Sequence, residues 1–221
     1  MLEIERTANA EEAARRAAEL IAAAADDAVA ERGSAAIALS GGKTPWRMVE
    51  ILAGLTLPWE STSLYQVDER VAPAGDPDRN LTHMVAALPL DLQARLRPMP
   101  VTDDDLEAAA ARYAAELPER LDLVHLGLGP DGHTASLVPG DAVLEVTDRA
   151  VALTAERYQD RRRMTLTYPT IDAAREVMFL ADGDAKRDPV ARLRAGDRDI
   201  PAGRVRAERM VLVADAAALG E

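Results

Sequence analysis

Apolar residues recur at helical spacing from Glu11 to Glu31, and Gly33 stands where such a helix stops. A short apolar run, Ala35 to Leu39, then predicts a buried strand. It breaks into Ser40-Gly41-Gly42-Lys43-Thr44-Pro45, and Trp46 to Leu52 predicts a helix with Pro45 in its first turn, where no N–H donor is needed. Ser63 to Val67 alternates as a strand and ends at Asp68-Glu69-Arg70. Val71 to Asn80 carries Pro73, Gly75 and Pro77 and reads as a loop, with Asn80 placed to cap a helix through Leu88. Asp103 is placed to cap a helix from Asp104 to Glu116.

The second half continues the alternation. Leu121 to Leu128 is apolar enough for a parallel strand buried on both faces. Ala150 to Thr154, Met164 to Thr167, Val177 to Leu180 and Met210 to Ala214 predict further strands, and Pro169 to Ala174 a brief helix. Asp182-Gly183-Asp184 interrupts the pattern before a helix carrying Lys186. Alternating strands and helices imply an α/β fold with a mostly parallel sheet. The polar, glycine-containing loops after Leu39, Val67, Leu128 and Leu180 all follow strand ends. In an open α/β sheet those ends share one edge, where ligands bind.

The chain has 221 residues, enough for one domain spanning 1–221. No apolar stretch reaches the roughly eighteen residues of a membrane span. Ala10 to Ala30 is alanine-rich but charged on one face, so it reads as an amphipathic helix rather than a signal peptide. Without cysteine there is neither a disulfide nor a thiolate metal site, which suits a cytoplasmic protein. The net charge of −12 argues against nucleic acid as a partner. An anionic ligand would have to be held by a few local cations and backbone N–H groups against the global field.

Chemistry concentrates in Gly127-Leu128-Gly129-Pro130-Asp131-Gly132-His133-Thr134-Ala135-Ser136-Leu137. Its glycines permit close approach of backbone to ligand, and its ionisable groups are Asp131 and His133. Imidazole is the side chain best suited to proton transfer near neutrality, so His133 is the expected centre of the site. Asp131 either orients His133 or shapes the turn. Ser40 to Pro45 is a strand, glycine loop and helix start, a geometry that turns N–H groups toward an anion. Its spacing matches neither a Walker A loop nor a dinucleotide fingerprint, and a plain tight turn fits it equally. His125, inside a strand, reads as a core imidazole, and His83 as a helix-surface residue. The histidine spacing makes no metal site, and a single phenylalanine with two tryptophans leaves no stacking surface for bases.

These motifs, in this order and with Asp68-Glu69-Arg70, Asn80 and Gly183 to Lys186, resemble the 6-phosphogluconolactonase family from Ala35 to Arg194. The family is similar in fold to glucosamine-6-phosphate deaminase and ribose-5-phosphate isomerase. The resemblance therefore implies a Rossmann-like, mostly parallel sheet with helices on both faces. It also implies a hydrolase of 6-phospho-D-glucono-1,5-lactone in the oxidative pentose phosphate pathway, with His133 as general base and no cofactor or metal. The partner implied is a small sugar-phosphate lactone, and the chain is expected to be a monomer or weak homo-oligomer.

Arg70 and Lys186 are the phosphate ligands the resemblance implies, with Gly41, Gly42 and Thr44 adding donors and Lys43 an extra cation. Arg163 is either a further ligand or part of a solvated run, Arg161-Arg162-Arg163. Asp68 is expected to hold Arg70 or a sugar hydroxyl, and Asn80 to bind substrate or only cap its helix. The deaminase branch differs where it matters: its relay glutamate falls on Val138 and the tyrosine of its Asp-Glu-Tyr on Arg70. A non-catalytic sugar-phosphate sensor would need an effector or DNA-binding module, for which length and charge leave no room.

Overall fold

A computed structural model describes residues 2–221. β1 (Leu2–Thr7) leads through α1 (Ala10–Arg32) to β2 (Ala35–Leu39), α2 (Lys43–Ala53), β3 (Thr62–Gln66), β4 (Asp68–Arg70) and α3 (Asn80–Ala87). Then come α4 (Leu90–Gln93), β5 (Leu96–Arg97), α5 (Leu106–Glu116), β6 (Leu123–Gly127), β7 (Val151–Leu153) and β8 (Arg163–Leu166). The chain closes with α6 (Tyr168–Asp172), β9 (Glu176–Ala181), α7 (Arg187–Arg194), β10 (Arg209–Asp215) and α8 (Ala216–Leu219). No described helix is long and apolar enough to cross a membrane.

Seven strands form one sheet in the order β1-β10-β9-β6-β2-β3-β5, every pair parallel. Side chains alternate between two cores, as the pleat requires. Ile37, Leu39, Leu123, Met178, Leu180, Val211 and Val213 pack beneath α1 and α2. Ala38, Val124, Leu126, Val177, Phe179, Leu212 and Ala214 pack on the opposite face with residues of α5, α7 and α8. Helices therefore cover both faces, as expected. α1 lies on the first core through Ala13, Ala14, Ala17, Ala18, Ile21, Ala25 and Ala28, a stripe of mostly methyl groups at i, i+3 and i+4 spacing. Asn9 accepts from the Glu12 N–H, Glu12 reaches back to the Ala8 N–H, and Gly33 closes the helix at φ 81°.

The strand order reverses at β2. From β2 the chain moves outward through β3 to β5, then crosses back to β6 on the other side and continues to β9 and β10. The connections leaving β2 and β6 diverge, which opens a crevice beyond the carboxyl ends of those two strands. Both glycine loops lie there.

The structure departs from the pattern reading in several places. β1 pairs at the sheet edge with β10 and was not expected, because an edge strand alternating Leu2, Glu3, Ile4, Glu5 carries a weak signal. The strands expected at Ala150–Thr154 and Met164–Thr167 form, but in a second, antiparallel sheet ordered β4-β8-β7. Asp68-Glu69-Arg70 is itself a strand of that sheet, pairing with Thr165, Met164 and Arg163. A period of two predicts a strand but not its partner. α2 begins at Lys43, three residues earlier than expected. The cap of α5 is Asp105, which accepts from the Ala108 N–H, while Asp103 pairs with Arg112.

Candidate active site

The loop leaving β6 folds tightly on itself. The Gly129 N–H donates to the His133 carbonyl at 2.8 Å, the Gly132 N–H to the Gly129 carbonyl at 3.0 Å, and the Thr134 hydroxyl to the Gly127 carbonyl at 2.8 Å. Gly132 sits at φ +80°, and a Cβ there would stand 2.4 Å from Ile200, so geometry and space both demand glycine. At Gly129 a Cβ would lie 2.0 Å from His133 Nδ1. The imidazole rests directly on that glycine.

Asp131 does both things open to it. Its Oδ1 accepts from the His133 backbone N–H at 3.1 Å, shaping the turn, and contacts the ring Nδ1 at 2.5 Å, orienting the imidazole. Burial pushes the Asp131 carboxyl upward. The hydrogen bonds from the His133 ring and backbone, with the ring's charge and the Tyr158 hydroxyl, outweigh it and hold the carboxyl below the usual range. With Nδ1 engaged, Nε2 is the ring nitrogen free to take a proton, and it bonds to no described residue.

Across the crevice, β4 delivers Asp68 and Arg70. The Arg70 guanidinium donates to Asn80 Oδ1, and Asn80 Nδ2 donates to the Asp68 carbonyl at 2.8 Å and to Asp68 Oδ1 at 3.3 Å. Asp68 Oδ2 accepts from the Ser136 hydroxyl at 2.6 Å and lies 3.9 Å from Arg163 Nη1. Asp68 therefore holds Ser136, Asn80 and Arg163; of the two roles expected of it, the hold on Arg70 is absent. Asn80 does not cap α3 with its side chain either. That part belongs to Glu69, which is fully buried and accepts from the Asn80 N–H at 2.7 Å and the Leu81 N–H at 2.8 Å. The Gln66 amide, the Arg70 N–H and the Arg79 guanidinium complete its shell.

The arginine run divides by position. Arg161 is partly exposed and pairs with Asp76 and Asp78, as a surface residue would. Arg163, only 3% exposed, lines the cleft, donates to Gln159 Oε1 at 2.8 Å and lies 5.1 Å from the centre of the Tyr158 ring. Burial pulls its pKa down, Asp68 opposes this, and Arg70 adds to it. Lys186, on a 3-10 turn ahead of α7, donates from Nζ to the Leu128 carbonyl at 2.5 Å. Partial burial lowers its pKa against the pull of Asp182 and Asp131.

Gly41 packs so close to Asn80 that a Cβ would stand 2.0 Å from Oδ1, and Gly42, at φ +140°, precedes α2 with no capping side chain. The first N–H groups of α2 have no intrahelical partners and carry the positive end of its dipole. His133, Gly41, Gly42, Lys43, Thr44, Asp68, Arg70, Asn80, Arg163 and Lys186 all line one cleft of about 370 Å³, with Asp131 directly behind His133. Four cations face it against two carboxylates, Asp68 and Asp182.

Three residues of this arrangement escaped the sequence reading: Glu69, Ser136 and Tyr158. Glu69 and Ser136 stand inside quoted motifs, but their partners lie 11 and 68 positions away. Tyr158 falls in a connection with no pattern of its own. His125 is fully buried in the sheet, accepting from the Ser40 N–H at 3.3 Å, and desolvation pushes its pKa down to about 3. His83 is exposed on α3 and stacks on Trp46. Position 138 is a buried valine and offers no carboxylate.

Residues 8–214 match the family described as glucosamine-6-phosphate isomerases/6-phosphogluconolactonase. The chain is 39% identical over 220 residues to a 6-phosphogluconolactonase of Streptomyces coelicolor, covering 87% of this chain and 84% of the relative. It is 38% identical over 185 residues to one of Synechocystis, covering 78% and 76%. In fold it is similar to the crystal structure of a 6-phosphogluconolactonase from Shewanella baltica, with a TM-score of 0.88, 24% identity and 98% of each chain covered.

Proposed function

The chain belongs to the glucosamine-6-phosphate isomerase/6-phosphogluconolactonase family, and we propose that it hydrolyses 6-phospho-D-glucono-1,5-lactone to 6-phosphogluconate with His133 activating the water. The observation that carries the proposal is the 2.5 Å contact of His133 Nδ1 with Asp131, which leaves Nε2 as the base on a cleft lined by four cations.

In this reading water attacks the lactone carbonyl carbon as Nε2 takes its proton, and the carbonyl electron pair moves onto oxygen. The tetrahedral intermediate collapses by breaking the bond to the ring oxygen, which receives the proton back from the imidazolium. The product carboxylic acid then ionises. Asp131 stabilises the imidazolium that forms between the two steps. A positioned general base contributes roughly 10²–10⁴-fold.

Arg70, Arg163, Lys186 and Lys43 would hold the phosphate and offset the charge that develops on the carbonyl oxygen. They do so locally, in a chain whose net charge is −12. Asp68 and Asn80 brace Arg163 and Arg70 and have oxygen and nitrogen atoms suited to sugar hydroxyls. The deaminase alternative lacks its carboxylate, because Val138 is apolar and buried.

The test is a coupled assay that generates the lactone in situ, with spontaneous hydrolysis subtracted, on the wild type and His133→Ala. The variant is expected to keep its circular dichroism and to lose about 10²–10⁴-fold in kcat. Undiminished activity removes His133 from the mechanism. Release of ammonia from glucosamine 6-phosphate, without lactone hydrolysis, moves the chain to the other branch of its family.

A further inference from the structure

Tyr158, on the connection between β7 and β8, donates its hydroxyl to Asp131 Oδ2 at 3.1 Å. The Tyr158 hydroxyl oxygen is also 3.2 Å from His133 Nδ1, and the two rings meet edge to face at 5.1 Å and 65°. We propose that Tyr158 is a positioning residue: its hydroxyl fixes the Asp131 carboxylate that keeps His133 in the Nδ1–H form with Nε2 free. The inference rests on the reading of His133 as the base.

The proton inventory leaves one arrangement. Asp131 Oδ1 and His133 Nδ1 are 2.5 Å apart, so a proton must lie between them, since two lone pairs would repel at that distance. Its hydrogen-bond donors hold Asp131 below the usual carboxylate range, so Asp131 is the acceptor and Nδ1 the donor. The Tyr158 proton goes to Oδ2, the one acceptor left within its reach. Burial and the Asp131 charge both raise the tyrosine pKa, so the hydroxyl stays a donor across the working range. Three donors thus converge on one carboxylate: the His133 N–H, its ring N–H and the tyrosine O–H. The carboxylate cannot rotate without breaking one of them.

The tyrosine is itself held. The Arg163 guanidinium lies on its ring at 5.1 Å. Its backbone closes a two-residue hairpin, with the Tyr158 N–H donating to the Arg161 carbonyl at 3.0 Å and Gln159 and Asp160 both at positive φ. Gln159 accepts from Arg163 at 2.8 Å. One short hairpin therefore braces the proposed base and a cleft cation together. The charged and titratable groups around Asp131 are His133, Tyr158 and, at longer range, Lys186, with the buried Arg163 over the tyrosine ring.

Tyr158→Phe keeps both ring contacts and removes only the hydroxyl. The expected result is a fall in kcat of about tenfold with KM within about twofold, the scale of losing one hydrogen bond to a charged acceptor. The acidic limb of the kcat/KM profile should move to higher pH, because a carboxylate relieved of the tyrosine proton pulls harder on the imidazolium. Long-range ¹H–¹⁵N spectra of the resting protein should show a single Nδ1–H tautomer of His133 in the wild type and a mixture in the variant. A lowered thermal midpoint with wild-type kcat, pH profile and tautomer would reduce Tyr158 to a tie for its hairpin and overturn the proposal. So would an Nε2–H tautomer in the wild type. If the wild type does not open the lactone, the functional reading fails instead, and the tautomer spectra, which need no substrate, still decide the position of His133.

Discussion

Glutamine in place of Glu69 would show whether one buried carboxylate both starts α3 and holds the Arg70 and Asn80 side of the cleft in register. In the wild type Oε1 accepts from the Arg70 and Asn80 N–H groups at 2.8 and 2.7 Å, and Oε2 from the Leu81 N–H and the Gln66 amide at 2.8 and 2.9 Å. Arg79 Nε is 3.5 Å away and its side chain is 5% exposed. Glutamine offers one oxygen and one NH₂, so two of the four donors face another donor. Each lost bond to a charged acceptor is worth about 1.5–3 kcal/mol. Arg79 also loses its partner, and breaking a buried pair costs about 3–5 kcal/mol. The terms overlap, so the expected loss is about 3–5 kcal/mol, a large part of the roughly 5–15 kcal/mol that holds a domain together. For a chain of this size that lowers the thermal midpoint by roughly 6–20 °C. Calorimetry and urea titration of Glu69→Gln beside the wild type measure it, and kcat/KM at a temperature where both are folded should fall with the loosened Arg70 and Asn80. A stability loss below about 1 kcal/mol, no more than an ordinary hydrogen bond, would refute the assignment of Glu69 as the cap.

Two further substitutions probe the histidines. Gly129→Ala places a methyl 2.0 Å from His133 Nδ1, at a backbone conformation alanine can adopt, so the ring must leave its seat. Activity in the coupled assay should fall by about 10²-fold, the scale of a small misplacement of a reacting group, while the thermal midpoint moves little; near-wild-type turnover would show that the ring position does not matter. His125 is held neutral, with its pKa pushed down to about 3. Between about pH 6.5 and that value the unfolded chain binds a proton that the folded one refuses, so stability falls as pH falls, by up to about 1.4 kcal/mol per unit. Urea titrations from pH 7 to 4 should show this slope in the wild type and its loss in His125→Gln; equal slopes would assign the acid sensitivity elsewhere.

Much of the molecule was legible along the chain. Helical spacing placed α1 and its end at Gly33, apolar runs placed β2, β6, β9 and β10, and the loops after β2, β6 and β9 carried groups that line the cleft. These are local signals: a period, a glycine, a strand end. They sufficed for an α/β sheet with a cleft at its carboxyl edge, and for His133 among the residues that line it. Partnership was not legible. Asp68-Glu69-Arg70 read as the tail of one strand and is a strand of another sheet, because pairing with β8 is decided by residues nearly a hundred positions away. Arg163 read either as a further ligand or as part of a solvated run, and only the antiparallel pairing turns it inward while Arg161 meets surface aspartates. The cap of α3 comes from Glu69 rather than the asparagine at its start, and the support behind His133 comes from a tyrosine 25 positions away. Periodicity reports which side of an element is buried but carries nothing about what it is buried against, and that choice falls to the packing of the whole chain.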